Sequence, residues 1–208
     1  MKKYSYIGIA FIILIFGIYV VPKIVNRFKT PKLITIAKVP SFEFTNQDGK
    51  LISDSFYDGK VYVVEFFFTT CPTICPKMNE SMLKIQNEFY GNQDFGIASF
   101  SINPKYDTPE ILKEYAKTHG ATLKNWNFLT GEQDKIYELA NTGFTLYAGE
   151  DSNAEGGFEH SGMFALVDKK GNIRSIMDEV GNPIAFYDGL DPKGVQQIKE
   201  DIKILLKE

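Results

Sequence analysis

The residues best suited to chemistry in this chain of 208 residues are its two cysteines, Cys71 and Cys75, which are separated by three residues. Pro72 and Pro76 follow them, so the connecting loop is short and its backbone freedom is restricted. We expect a helix to begin at Pro76, with Cys75 near its cap. Because the N-terminal end of a helix is positive and favours thiolate, at least one of these thiols is predicted to be a nucleophile or a metal ligand.

The spacing of the two cysteines is compatible with two chemistries. A loop of this width can open to place two sulfur atoms around a cation, and it can also close into a disulfide. A purely structural disulfide is disfavoured, because closing a loop of about five residues contributes only roughly 2 kcal/mol. Metal binding and thiol redox chemistry therefore both stay open at this point.

The elements around the cysteines predict an α/β fold. Residues 61–68 are an almost unbroken run of β-branched and aromatic residues, which is typical of a strand buried on both faces. Further strands are predicted over 95–102 and 126–129, helices over 76–90, 109–119, 132–142 and 192–206, and hairpins over 42–53 and 163–177. This order describes a thioredoxin-like sheet flanked by helices, with an N-terminal hairpin extension.

His160 is the candidate third member of the site. It lies in a glycine-rich segment just ahead of the predicted strand over 163–168, a junction that returns beside the cysteine loop in a thioredoxin-like sheet. Two thiolates and one imidazole suit Cu(I), and also Cu(II) with an added weak ligand. Structural zinc normally needs four protein ligands, and no obvious fourth is available. The alternative is that His160 is an ordinary solvated residue of a loop.

Three other residues with possible ligand chemistry are interpreted as structural. His119 precedes a glycine at a predicted helix end, where it interacts favourably with the helix C-terminus. Met78 and Met82 are four residues apart on a predicted helix, in register with further apolar residues, so they are assigned to the core.

The N-terminal residues predict a membrane segment. Residues 4–21 carry no charge and follow Lys2 and Lys3, and a helix of that length reaches roughly 27 Å. A secretory signal peptide is the alternative, but the run exceeds the usual ~7–15 residues and no small-residue cleavage site follows. The predicted organisation is an uncleaved anchor over 1–21, a basic linker over 22–39 and one compact domain over 40–208.

Charge excludes one class of partner. The first 40 residues hold seven basic residues and no acid, so the remainder carries 16 basic against 26 acidic residues. A domain this acidic repels phosphate backbones, and nucleic-acid binding is not expected.

Three separated segments resemble the Sco/SenC family, the copper-binding proteins of cytochrome c oxidase assembly. They are FFFTTCPTICPKMN at 66–79, SINPKYDTPEILKEYA at 101–116 and FEHSGMFALVDKKGNIR at 158–174. The resemblance implies copper bound by Cys71, Cys75 and His160, and delivery to the dinuclear copper centre of oxidase subunit II. One position departs from the pattern, because many relatives have Asp where Asn103 stands here.

The resulting hypothesis is a membrane-anchored copper metallochaperone on the outer, periplasmic face of the inner membrane. It requires a thiol reductant to keep its cysteines reduced, and its copper affinity should fall as the pH drops. The alternative is a thiol–disulfide oxidoreductase in which Cys71 attacks a target disulfide and Cys75 resolves the mixed disulfide. A weaker alternative is a peroxidase in which peroxide oxidises one cysteine.

Overall fold

The computed structural model of the chain describes residues 5–28, 33–154, 156–178 and 180–208. It divides into two compact units, Met1–Lys32 and Leu33–Glu208. Residues 1–4 of the predicted anchor and residues 29–32 of the predicted linker lie outside the described part.

The first unit contains helix α1 (Ser5–Phe28). Among the described residues, no helix combines the length and the apolar character that a membrane crossing requires. The predicted transmembrane anchor and the predicted location in the inner membrane are therefore wrong.

The second unit contains a sheet with both parallel and antiparallel strand pairs, together with four α-helices among its described residues. Its strands are β1 (Ile34–Lys38), β2 (Glu43–Asn46), β3 (Leu51–Ser53), β4 (Val61–Phe67), β5 (Phe95–Ser101), β6 (Trp126–Thr130), β7 (Ala148–Glu150), β8 (Phe158–His160), β9 (Met163–Val167), β10 (Asn172–Ser175) and β11 (Tyr187–Asp188). Its helices are α2 (Cys75–Glu88), α3 (Pro109–Thr118), α4 (Gln133–Glu138) and α5 (Pro192–Leu205). A 3₁₀ turn spans Asp54–Tyr57, and a π turn over Leu139–Gly143 extends α4. The predicted α/β class is confirmed.

Within the described residues the main sheet has nine strands in the order β1-β10-β9-β4-β5-β6-β2-β3, with β11 paired to β9. Strand β4 runs parallel to β5 and antiparallel to β9, and β5 runs parallel to β6. Strands β7 and β8 form a separate two-stranded sheet. The long strand read from the sequence therefore lies in the middle of the sheet, where it is paired on both sides.

Two features of the N-terminal half differ from the prediction. The hairpin over 42–53 is present as β2 and β3, but β2 also pairs with β6, so the hairpin is the edge of the main sheet and not an extension. Strand β1 falls within the stretch predicted as a linker, and it pairs with β10. Both pairings join residues far apart in sequence, which a local pattern does not reveal.

Strand β4 lies in the core and leads directly into the loop that holds the two cysteines. All seven residues of β4 are buried, and the ring of Phe66 stacks on that of Phe100 with their centroids 5.4 Å apart. Met78 and Met82 are 1% and 0% exposed, which confirms their assignment to the core. The other histidine, His119, lies at the end of α3, where its Nδ1 donates a hydrogen bond to the carbonyl oxygen of Tyr115 at 2.9 Å.

Candidate metal centre

The two cysteines lie in the loop between β4 and α2. The amide of Cys71 donates a hydrogen bond to the carbonyl oxygen of Phe68 at 3.2 Å, which turns the chain sharply after the strand. Helix α2 begins at Cys75, one residue earlier than predicted, with Pro76 in its first turn. Because proline lacks the N–H that a first helical turn leaves unpaired, it is well tolerated there. Cys75 is thereby held on the end of a regular helix.

His160 reaches the site from the other side. It is the last residue of β8, and it pairs with Ala148 of β7 in the small two-stranded sheet. The chain then passes through Ser161 and Gly162 into β9, the strand beside β4. The β7–β8 hairpin therefore carries the imidazole back to the end of the sheet where the cysteine loop lies.

The structure brings the three predicted site residues together. The Sγ of Cys75 lies 3.3 Å from the Nε2 of His160. The potential ligand atoms of Cys71, Cys75 and His160 all lie within 4.8 Å of one another. The three residues are 8%, 3% and 9% exposed. Among the described residues, this is the one group of three Cys, His or acidic side chains arranged to hold a metal ion.

The imidazole of His160 is oriented by its neighbours. Its Nδ1 lies 3.3 Å from the carbonyl oxygen of Ser161, which only accepts hydrogen bonds, so Nδ1 carries the proton. The Nε2 lone pair then faces the sulfur of Cys75. The ring of Phe68 packs edge-on against the imidazole, with the centroids 5.6 Å apart. The tautomer with the proton on Nδ1 is the one that a histidine bound to a metal through Nε2 requires.

The pKa values of the two cysteines are shifted in opposite directions. A hydrogen bond from Cys75 lowers the pKa of Cys71 to about 3, against the opposing effect of burial. The same hydrogen bond and the deeper burial raise the pKa of Cys75. The hydroxyl of Thr73 lies 3.7 Å from the sulfur of Cys71, within hydrogen-bonding distance for sulfur. Cys71 is therefore the more readily ionised of the two cysteines, and the sulfur of Cys75 lies beside two possible acceptors for its proton, Cys71 Sγ and His160 Nε2.

A cavity of about 210 Å³ opens onto these residues. Its lining comprises Cys71, Thr73, Ile74, Ala154, Phe158, Glu159 and His160. A larger cavity of about 500 Å³, between residues 40–44 and 135–143, has no cysteine or histidine in its lining, so cavity size does not mark the reactive site.

The donor set favours a soft metal. Two sulfur atoms and one imidazole nitrogen suit copper, whereas magnesium and calcium prefer oxygen ligands. Three donors are also fewer than the four that structural zinc takes from a protein. These three donors are predictable from the sequence, whereas no sequence pattern marks Phe68 and Thr73, which contact them. The apolar run ending at Phe68 was a signal for burial only, since the partner of a buried ring depends on tertiary contacts.

Gly156 lies close against Phe68 and Pro72 of the cysteine loop. Its φ is +87°, and a Cβ there would lie 2.9 Å from the Phe68 ring and 3.2 Å from Cδ of Pro72. We predict that Gly156→Ala lowers the free energy of unfolding by about 2 kcal/mol, through left-handed backbone strain and this overlap. Gly157→Ala is the matched control, because Gly157 has φ of +82° but no atom within 4 Å of an added Cβ. Urea unfolding of both variants checks the prediction, and an equal loss in the two would show that packing on Phe68 contributes nothing.

These features define a class of protein: a small thioredoxin-like domain whose strand-to-helix loop holds two cysteines beside a returning histidine. Residues 33–191 match the family model described as SCO1/SenC, and the chain belongs to this family. It is 33% identical over 168 residues to the SCO1 protein homolog of Bacillus subtilis (strain 168), with 80% of this chain and 81% of the relative covered.

Two solved structures share the fold. BsSco, described as a member of the Sco family of cytochrome c oxidase assembly proteins with a disulfide switch, superposes with a TM-score of 0.70 at 31% identity, covering 87% of this chain and 98% of that one. ScoI of Bradyrhizobium japonicum, solved with copper bound, gives a TM-score of 0.62 at 21% identity, covering 82% of this chain and 100% of that one. At that identity the second likeness shows the fold alone, which is the thioredoxin-like fold expected from the sequence.

Proposed function

We propose that this chain is a copper metallochaperone that binds one copper ion through Cys71, Cys75 and His160. The observation that carries the proposal is the convergence of three soft ligand atoms within 4.8 Å of one another, at the mouth of a cavity. Family membership supports it, since a relative of the same family has been solved with copper bound. The second unit, Leu33–Glu208, would form the copper-binding domain, and the protein would not be an enzyme in the turnover sense.

The geometry supports transfer as well as binding. Three protein ligands leave copper with an open coordination position, which an incoming ligand of an acceptor can occupy before a protein ligand departs. Cys71 is the more exposed of the two cysteines and also lines the cavity, whereas Cys75 is held on α2. Cys71 is therefore the ligand we expect to exchange first. The acceptor is proposed to be cytochrome c oxidase subunit II or a similar exposed copper site.

Copper loading requires reduced cysteines, so a thiol reductant is part of the proposal. Neither cysteine forms a disulfide in the structure. An intramolecular disulfide would remove both sulfur ligands together, since only the thiolate is a good ligand. A reductant that resets the pair would therefore control the capacity to carry copper.

The alternative function is thiol–disulfide exchange, and the unequal pKa values of the two cysteines favour it. The thiolate of Cys71 would attack a target disulfide, forming a mixed disulfide and releasing one target thiolate. Cys75 would then lose its proton and attack the sulfur of Cys71, releasing the second target thiol. The target gains two electrons, and the pair ends as a disulfide that needs an external thiol for reduction.

The test is a Cu(II) titration of the reduced full-length chain in the absence of oxygen, with His160→Ala and with His119→Ala as the matched control. His119 stacks on Tyr115, with centroids 3.9 Å apart, and belongs to no metal-ligand group in the described residues. We expect one copper per chain with a sulfur-to-copper charge-transfer band, retained in His119→Ala and severely weakened in His160→Ala. Rapid disulfide exchange that survives His160→Ala, without stoichiometric copper binding, would replace this proposal with the alternative.

A further inference from the structure

Asp107 is a buried carboxylate that the proposed copper chemistry does not use. Its side chain is 0% exposed and lies in the turn between β5 and α3. It accepts hydrogen bonds from the amide of Thr69 at 3.0 Å, from the hydroxyl of Thr69 and from the hydroxyl of Ser101. Burying a carboxylate costs free energy unless hydrogen-bond donors surround it. Asp107 therefore favours conformations in which Thr69 and Ser101 stay within hydrogen-bonding distance of it.

Those groups connect the end of β5 to the cysteine loop. Thr69 lies two residues before Cys71, and both its amide and its hydroxyl bind Asp107. Ser101 is the last residue of β5, the strand parallel to β4. Asp107 therefore joins the start of the cysteine loop to the neighbouring strand by three hydrogen bonds.

Within the part of the chain that the structure describes, no Lys, Arg or His side chain forms an ion pair with Asp107. The positive end of α3, which begins two residues later at Pro109, favours a negative charge there. The hydrogen bonds from Thr69 and Ser101 therefore occupy both side-chain oxygen atoms of Asp107.

The rest of the loop is held by other contacts. Between Phe68 and α2, the amide of Cys71 donates to the carbonyl oxygen of Phe68 at 3.2 Å, and the carbonyl oxygen of Ile74 accepts from the amide of Met78 at 3.0 Å. The hydroxyl of Thr73 lies 3.7 Å from the sulfur of Cys71. Cys75 is fixed by the helix, and His160 by its strand. The position of Cys71 relative to both therefore depends in part on how Thr69, two residues earlier, is held.

We propose that Asp107 is a positioning residue of the copper site, which holds Cys71 at the separation from Cys75 and His160 that copper requires by binding Thr69. The inference rests on the proposed function. Asn103 takes part through its backbone: its amide donates to Ser101 Oγ at 3.2 Å, and its carbonyl accepts from the amide of Asp107 at 2.9 Å. The connection between Asp107 and the loop needs no carboxylate at position 103.

The test compares Asp107→Ala and Asp107→Asn with Asp168→Ala as the matched control. Asp168 is also a buried carboxylate, 7% exposed, which accepts hydrogen bonds from the amides of Lys170 and Asn172 and from Arg174, but in the β9–β10 turn. An asparagine at position 107 keeps an oxygen for the amide of Thr69, and its NH₂ can donate to the hydroxyl of Thr69, which also accepts. Asparagine is therefore a conservative replacement that preserves the connection.

Two measurements are made on the reduced full-length chain. The first is copper affinity by chelator competition, together with the charge-transfer band. The second is the equilibrium constant for the reaction of the dithiol with glutathione disulfide, which gives the intramolecular disulfide and two glutathione thiols. We expect Asp107→Ala to lower copper affinity by about 10- to 100-fold, to shift the band and to lower the disulfide equilibrium constant severalfold. Asp107→Asn should restore all three, and Asp168→Ala should change none of them while lowering the urea midpoint.

Each outcome decides the inference. If Asp107→Ala and Asp168→Ala lose similar stability and neither changes the band or the disulfide equilibrium, Asp107 is only a stability residue and the inference is overturned. If the wild-type chain binds no copper, the proposed function fails, and the disulfide equilibrium still decides whether Asp107 positions Cys71.

Discussion

Cys75→Ser is expected to abolish stoichiometric copper binding and to remove the charge-transfer band. Cys75 is 3% exposed and is held in the first turn of α2, with its sulfur 3.3 Å from His160 Nε2. A serine hydroxyl at that position is a hard, protonated oxygen, which is a poor ligand for copper. The loss of affinity should exceed the roughly 100-fold that the removal of a supporting residue costs, because a ligand itself is lost. Anaerobic copper titration of the reduced chain measures it.

Met78→Leu is the matched control for this experiment. Met78 lies one helical turn after Cys75, is 1% exposed and offers a soft sulfur, so it would be the replacement ligand if the cysteine assignment were wrong. Leucine conserves its volume in the core at a cost below about 1.5 kcal/mol. Copper binding should be unchanged in this variant. Retention of copper by Cys75→Ser together with its loss in Met78→Leu would transfer the ligand role to the methionine.

The second large effect concerns Glu65, a carboxyl on the central strand β4 that is 4% exposed. Burial raises the pKa of Glu65 from 4.5 to about 7, although the hydroxyl of Ser99 donates a hydrogen bond to it at 2.7 Å. The folded chain therefore retains this proton at pH values where the unfolded chain has released it. The associated stability is fully present below pH 4.5 and is lost as the pH rises through 7.

We expect Glu65→Gln to be more stable than wild type at pH 8, while the two are nearly equal at pH 5. The difference accumulated over this range is about 3 kcal/mol, since each unit of pKa shift corresponds to about 1.4 kcal/mol. Free energies of unfolding in urea at several pH values measure it. If the free energies of unfolding of wild type and Glu65→Gln changed in parallel between pH 5 and pH 8, the interpretation would be refuted.

Asp168→Asn gives the control of opposite sign. Burial opposes ionisation of Asp168, but hydrogen bonds from the amide of Asn172 and from Arg174 outweigh it and lower its pKa. Its contribution is present at neutral pH and is lost as the pH falls through the folded-state pKa. Asp168→Asn should therefore lose stability at neutral pH, where Glu65→Gln gains it.

Much of the site's local structure followed from short-range patterns. The run over 61–68 predicted the buried strand, the prolines predicted the strand-to-helix loop, and the spacing of Met78 and Met82 predicted the core face of α2. These features depend on residues within one or two turns of each other, so local sequence determines them. The same patterns placed the two cysteines on one short loop, where no long-range information is needed to bring them close.

Tertiary structure alone decided what surrounds that loop. His160 meets Cys75 across 85 residues, Asp107 reaches Thr69 across 38, and β1 joins β10 through pairing that no local pattern encodes. The apolar N-terminal run likewise predicted a membrane span that the described helix does not provide. The physical reason is common to the first three cases: strand order and register determine which distant side chains share one end of the sheet, and those depend on packing of the whole domain. The residue types and their local spacing can be read from the sequence, whereas His160 comes close to the two cysteines only once the sheet has formed.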